Sequence, residues 1–178
     1  SGCFGNMLVW IIKCLSQLPT DGQNGIVKQF DAQSDSGLRN IMISTDPPYY
    51  DNISYADLSD YFYVWMRQSL KHTYPKLFRT MLVPKAEELV ATPYRFESKQ
   101  KAKEFFETGM FHTCQQLYLY ARDDIPVTIY YAYKQSETEK ESTASTGWET
   151  MLSSIINAGF AITGTWPMRT ELTTALKG

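Results

Sequence analysis

The chain reads as an α/β layer protein with a mostly parallel sheet. Two observations predict this. Apolar segments of helical period alternate with short β-type runs, in the order helix, strand, strand, helix, helix, strand, helix, strand, and strands joined by crossover helices pair in parallel. One of those runs, "NIMIST" at 40–45, is compact and apolar in the way of a strand buried on both faces. The 178 residues, 43% hydrophobic and 20% charged, suffice for one domain with a sizeable core, here taken as 1–178.

The elements follow in order. Residues 4–18 place Phe4, Leu8, Ile11, Ile12 and Leu15 at helical spacing, and Pro19, Asp21 and Gly22 end the pattern. "GIVKQFDAQ" (25–33) predicts a short strand closing on Asp31, "SDSG" a turn, and 40–45 the buried strand. From Asp57 to about Tyr74, Leu58, Tyr61, Phe62, Trp65, Met66 and Leu70 form one stripe, expected to be core. Residues 75–96 hold three prolines and no clean period, which predicts an ordered excursion with short helical pieces at most. A long helix over 97–122 turns Phe106, Met110, Cys114, Leu117 and Ala121 inward, and "PVTIYYAYK" (126–134) is the next strand.

The polar stretch 135–145 predicts a mobile loop. Thr146-Gly147-Trp148-Glu149 has the form of a capping box for a helix carrying Met151, Leu152, Ile155 and Ile156, with Gly159 at its C′ position. "FAITGTWPM" (160–168) is the last expected strand.

Composition narrows the function classes. A net charge of −2 argues against an autonomous nucleic-acid binder, so any positive surface for such a partner must be local. Cys3, Cys14 and Cys114 are odd in number and far apart, which points to reduced, mostly buried thiols and to no zinc site. No apolar run approaches a membrane span and no signal peptide is recognisable. The chain is expected to be cytoplasmic. His72 and His112 are isolated and suit surface roles.

In parallel sheets the chemistry lies beyond the carboxyl ends of the strands. Asp31, the turn Asp46-Pro47-Pro48-Tyr49-Tyr50-Asp51, and Lys134-Gln135-Ser136 occupy such ends. Two successive prolines remove two backbone donors and fix two φ angles, and residues before proline are pushed to extended conformations. A carboxylate and a carbonyl held stiffly together can accept two hydrogen bonds from an exocyclic amine, while a following aromatic ring stacks on the planar base. Such an amine is a poor nucleophile because its lone pair is delocalised into the ring. Fixed acceptors that need no reorganisation can pull it toward tetrahedral geometry.

The string "TDPPYYD" after an apolar strand resembles the DPPY signature of amino-methylating DNA methyltransferases. By average composition a chance D-P-P-Y occurs in about one chain in a thousand of this length. Together with "LVPKAEELVATPYR", "VTIYYAYKQSE", "TASTGWETML" and "AGFAITGTWPMRTE", it makes nearly the whole chain from about residue 25 similar to the large prokaryotic adenine-specific DNA methylases, multi-domain proteins some of which occur near phage-defence genes. The resemblance implies a Rossmann-like sheet and S-adenosylmethionine as methyl donor. It implies methyl transfer to adenine N6 in DNA by direct in-line attack, with base flipping.

On the matching positions, Asp46 and the Pro47 carbonyl, stiffened by Pro48, would accept the target amine, and Tyr49 would stack on the base. Tyr50 would line either the pocket or the core. Asp31 would lie near the cofactor, and Lys134 and Arg169 would contact substrate. Lys85, Glu87 and Glu88 would project over the active edge or form a solvated helix end.

The family's glycine-rich cofactor loop is found nowhere in the chain. The expectation is therefore an incomplete fold, the carboxyl-side part of a catalytic domain. Such a piece would bind cofactor weakly, be inactive alone, depend on the rest of a longer protein, and self-associate. Cytosine N4 is the alternative target, since related signatures acting on glutamine or guanine begin with Asn. A non-catalytic nucleic-acid-binding or scaffold subunit is the alternative class.

Overall fold

The computed structural model describes residues 3–19, 22–50, 53–131 and 141–167, the side chains of 141–146 excepted. Helix α1 spans Phe4–Ser16, strand β1 Ser44–Thr45, helix α2 Tyr55–Leu70, helix α3 Lys99–Tyr120, strand β2 Thr128–Ile129 and helix α4 Glu141–Asn157, with a short 3-10 turn at Pro93–Arg95. β1 and β2 pair in parallel, Ser44 opposite Thr128 and Thr45 opposite Ile129. A parallel bridge, Ile41 to Ala121, extends the contact toward the end of α3. The chain is thus mixed α/β with a two-stranded parallel sheet among the described residues.

The core is built on α3. Ser98 caps its N-terminus by accepting the Lys101 N–H through its hydroxyl. Ala102, Phe106, Met110 and Cys114 then recur at i, i+4 spacing and are buried, Phe106 completely. Against this face pack Met151 of α4 and the run Leu89–Thr92, buried throughout. Gly109 admits that run. A Cβ there would stand 2.2 Å from the Leu89 Cδ2 atom, which explains why the helix accepts a residue of poor helix propensity.

α4 ends in a Schellman motif. The Phe160 N–H reaches the Ile155 carbonyl (3.3 Å), and the Gly159 N–H reaches that of Ile156 (3.0 Å). Gly159 takes φ +109°, a conformation that side chains disfavour.

Several expectations are corrected. Residues 25–33 and 160–167 carry no strand pairing among the described residues and are solvent-exposed but for the half-buried Gln33 and Phe160. A β-type composition makes a strand only where a neighbour supplies the ladder. The 40–45 run is not buried on both faces, since Ile43 is buried while Met42 is 68% exposed. The α2 stripe of Leu58, Tyr61, Phe62, Trp65 and Met66 is exposed rather than core, because helical period says which residues share a face and not what covers it. The apolar positions of α1 are likewise exposed. α4 begins at Glu141, so 141–145 is helix rather than loop and Thr146 is not its cap. Residues 135–140 lie outside the described ones. Of the thiols only Cys114 is buried, which pushes its pKa up to about 11, whereas Cys3 and Cys14 are exposed. No described helix is long and apolar enough to cross a membrane.

Gly109→Ala tests the packing. Alanine gains about 1 kcal/mol in helix propensity, but overpacking a filled core costs about 1–3 kcal/mol, and the 2.2 Å approach places this site at the high end. A net loss of roughly 1–2 kcal/mol is expected in urea unfolding.

Candidate functional site

The ladder delivers the proline turn to the sheet's edge. Thr45 accepts the Tyr130 N–H at 2.8 Å, and the chain then leaves β1 at Asp46. Asp46 is exposed, while Pro47, Pro48, Tyr49 and Tyr50 are half-buried. Among the described residues no hydrogen bond or ion pair engages the Asp46 carboxylate. The two strand ends bring together residues far apart in sequence. The Tyr49 ring meets Tyr131 edge-on at 5.7 Å, and Tyr131 stacks on Trp148 of α4 at 6.2 Å.

Tyr50 meets the core directly. Its ring stands edge-on to Phe106 at 5.1 Å, and it packs against the core cluster, as Tyr131 does. A Cβ on Gly147 would come within 2.8 Å of the Tyr50 Cβ, so α4 approaches this residue only because position 147 is glycine. The Tyr50 carbonyl accepts the Ala91 N–H at 2.7 Å. Of the two neighbouring tyrosines, one ring thus meets Tyr131 beyond β2 and the other Phe106 of α3.

The excursion 75–96 holds the far side of the turn. Glu88 accepts the Ala56 N–H at 2.9 Å, capping the first turn of α2 from a distance in sequence, and also pairs with Arg95 at 2.5 Å. Arg95 reaches Asp57 at 2.7 Å, Ser54 meets Thr92 at 3.3 Å, and Tyr94 donates to Asp57 and Ser54. One turn along, Lys85 pairs with Asp60 at 2.7 Å while the Val83 N–H donates to the same carboxylate at 2.9 Å. Burial of Arg95 works against its charge, yet the hydrogen bonds it donates to Glu88 and Asp57 outweigh it and raise its pKa. The hydrogen bonds from Tyr94 and then Arg95 lower that of Asp57, and the Lys85 bond lowers that of Asp60. Lys85 and Glu88 therefore tie the excursion to α2.

Asp31 does not join this group. Its carboxylate accepts the Gln33 N–H at 3.0 Å and the Ser34 hydroxyl at 3.4 Å, closing its own exposed turn. Lys134 and Arg169 lie outside the described residues. Tyr131, Trp148 and Arg95 are the residues that sequence reasoning did not place at the site. Tyr131, at the end of a parallel strand, carried a signal that could have found it. A cleft of about 360 Å³ lies between α3 and α4, lined among others by Lys103, Glu107, Glu149 and Ser153. None of its lining residues belongs to the 46–50 turn. Asp31, the residue expected near S-adenosylmethionine, is committed to its own loop. No protein-family model, curated protein or solved structure matches the chain.

The lowered carboxylates set an acid dependence. A group whose folded pKa is depressed contributes stability that is full above its unfolded value, near 3.9 for Asp, and lost as pH falls through the folded value. The clamp on α2 should therefore loosen below about pH 4. Asp60→Asn should be less stable than wild type at neutral pH and lose less on acidification, read as melting temperature against pH.

Proposed function

We propose that this chain carries the amine-holding site of a DNA methyltransferase acting on adenine N6, within a Rossmann-like methyltransferase fold and with S-adenosylmethionine as donor. The observation that carries the reading is Asp46. An exposed carboxylate with no hydrogen bond or ion pair among the described residues stands at the carboxyl end of a parallel strand, stiffened by two prolines and followed by a ring at the same edge. A carboxylate needed only for folding would be expected to be spent on a cap or an ion pair, as Asp57, Asp60 and Glu88 are.

In this reading the Asp46 carboxylate and the Pro47 carbonyl accept the two N–H bonds of the amine. Localising its lone pair makes the nitrogen nucleophilic, and fixed acceptors do this without reorganising during the reaction. Tyr49 stacks on the base, a contact of about 1–3 kcal/mol. Tyr50 holds the turn to the core and does not touch substrate. The cofactor's binding residues are sought outside the described ones, so the chain is assigned the target half of the reaction alone. The same acceptors suit cytosine N4.

Asp46→Ala in the protein that carries this chain tests the assignment. Methyl transfer to adenine in DNA should fall by at least about a hundredfold, the scale for removing one preorganised polar partner, with the circular dichroism spectrum unchanged. A rate near wild type would overturn the reading.

A further inference from the structure

Residues 61–86 contain no Asp or Glu, yet hold Arg67, Lys71, Lys76, Arg79 and Lys85, in a chain whose net charge is −2. Lys85 is paired with Asp60. Among the described residues no ion pair holds the other four, and Lys71, Lys76 and Arg79 are exposed. The Arg67 Nε donates to the carbonyls of Phe78 (3.2 Å) and Thr80 (2.9 Å). With Tyr63, which bonds Thr80, it seats the inner side of α2 on the segment 77–80. The other side carries Tyr61, Phe62, Trp65 and Met66, all exposed and at the spacing of a single face. Tyr74 and Met81 beyond the helix are exposed too.

We propose that this face of α2 and the turn after it form a nucleic-acid surface for a single strand. Lys71, Lys76 and Arg79 would meet phosphates, and Tyr61, Phe62 and Trp65 would meet unstacked bases. Cations near a helix C-terminus offset its dipole, which accounts for Arg67 and Lys71. Lys76 and Arg79 lie past the last turn, where that effect has died away. Cationic charge without nearby acids selects a polyanion, and accessible aromatic faces select bases that are not stacked in a duplex. A lipid surface would instead favour an aliphatic face, whereas Ser69 and the Tyr61 hydroxyl interrupt this one. The surface rests on the amine-holding reading only for its connection to a target base. In sequence the 46–50 turn shortly precedes α2, and a helix of 16 residues is about 24 Å long, room for several nucleotides.

Fluorescence anisotropy of the 178-residue chain with a dye-labelled DNA strand of about 20 nucleotides tests this without any methylation readout. The strand should bind more tightly than the same sequence as a duplex, with affinity falling as salt rises. Lys71→Gln combined with Lys76→Gln, both at exposed positions, should weaken binding about tenfold and reduce the slope of log affinity against log salt by about 1.4. Trp65→Ala should weaken it roughly fivefold or more and leave that slope unchanged. An unaltered slope in the lysine variant, or binding to phosphatidylcholine–phosphatidylserine vesicles without binding to the strand, overturns the proposal. Strand binding with the expected slope, beside a near wild-type rate of methyl transfer for Asp46→Ala in the protein that carries this chain, would sink the amine-holding reading and leave this surface standing. Loss of methyl transfer in that variant with an unaltered slope here would do the reverse.

Discussion

Tyr50 is the constraint on which the rest of the turn depends. Two prolines make a segment stiff, but stiffness positions nothing unless one end is fixed to a rigid body. The Tyr50 ring against Phe106 and the Tyr50 carbonyl on Ala91 provide that fixture. Burying much of an aromatic ring is worth about 1.5–3 kcal/mol, the edge-to-face contact about 0.5–1.5, and the backbone hydrogen bond about 0.5–1.5. Together they exceed thermal energy several-fold, so the turn is held at its carboxyl end as well as at its start, where the β1–β2 ladder holds it. Asp46 and Tyr49 lie between two anchored points.

The excursion is the second half of that arrangement, and its chemistry differs. The Arg95 side chain is 12% exposed and faces two carboxylates. A partly buried ion cluster of this kind gives little net stability over a well-packed apolar one, but losing one partner strands a charge and costs about 3–5 kcal/mol. Its effect is specificity. Glu88 cannot serve both the start of α2 and Arg95 unless the excursion returns in one register, and that register also places Ala91 beneath Tyr50. The polar cluster and the apolar anchor therefore select the same path for the chain.

How much of this could be read beforehand depends on whether the cause was local. α3 was legible because cap, period and burial agree along one helix, and the Gly159 stop because a positive φ asks for glycine. That strands pair in parallel followed from the alternation of elements, and the placing of Asp46 at a strand's end from the apolar run before it, whereas which strands pair was not legible. What failed was everything set by neighbours. "GIVKQF" has strand composition but no partner, and Trp65 has a core residue's spacing but no covering layer. Tyr49 and Tyr50 are the same residue type side by side, and only the approach of Phe106, Gly147 and Tyr131 from distant positions distinguishes their roles.

Charge resolves the remaining tension between composition and reading. A chain with net charge −2 looks unsuited to a polyanion when averaged. Electrostatic attraction is screened over about 10 Å at ordinary salt, so a partner senses the surface it touches and not the sum. The acids nearest α2's start, Asp57, Asp60 and Glu88, are paired with Arg95 and Lys85, two cations against three carboxylates. Downstream of them the helix and its following turn present cations that form no ion pair among the described residues. The pairing that fixes the excursion also offsets most of the negative charge beside α2's start. One set of ion pairs thus serves both the shape of the turn and the field around it.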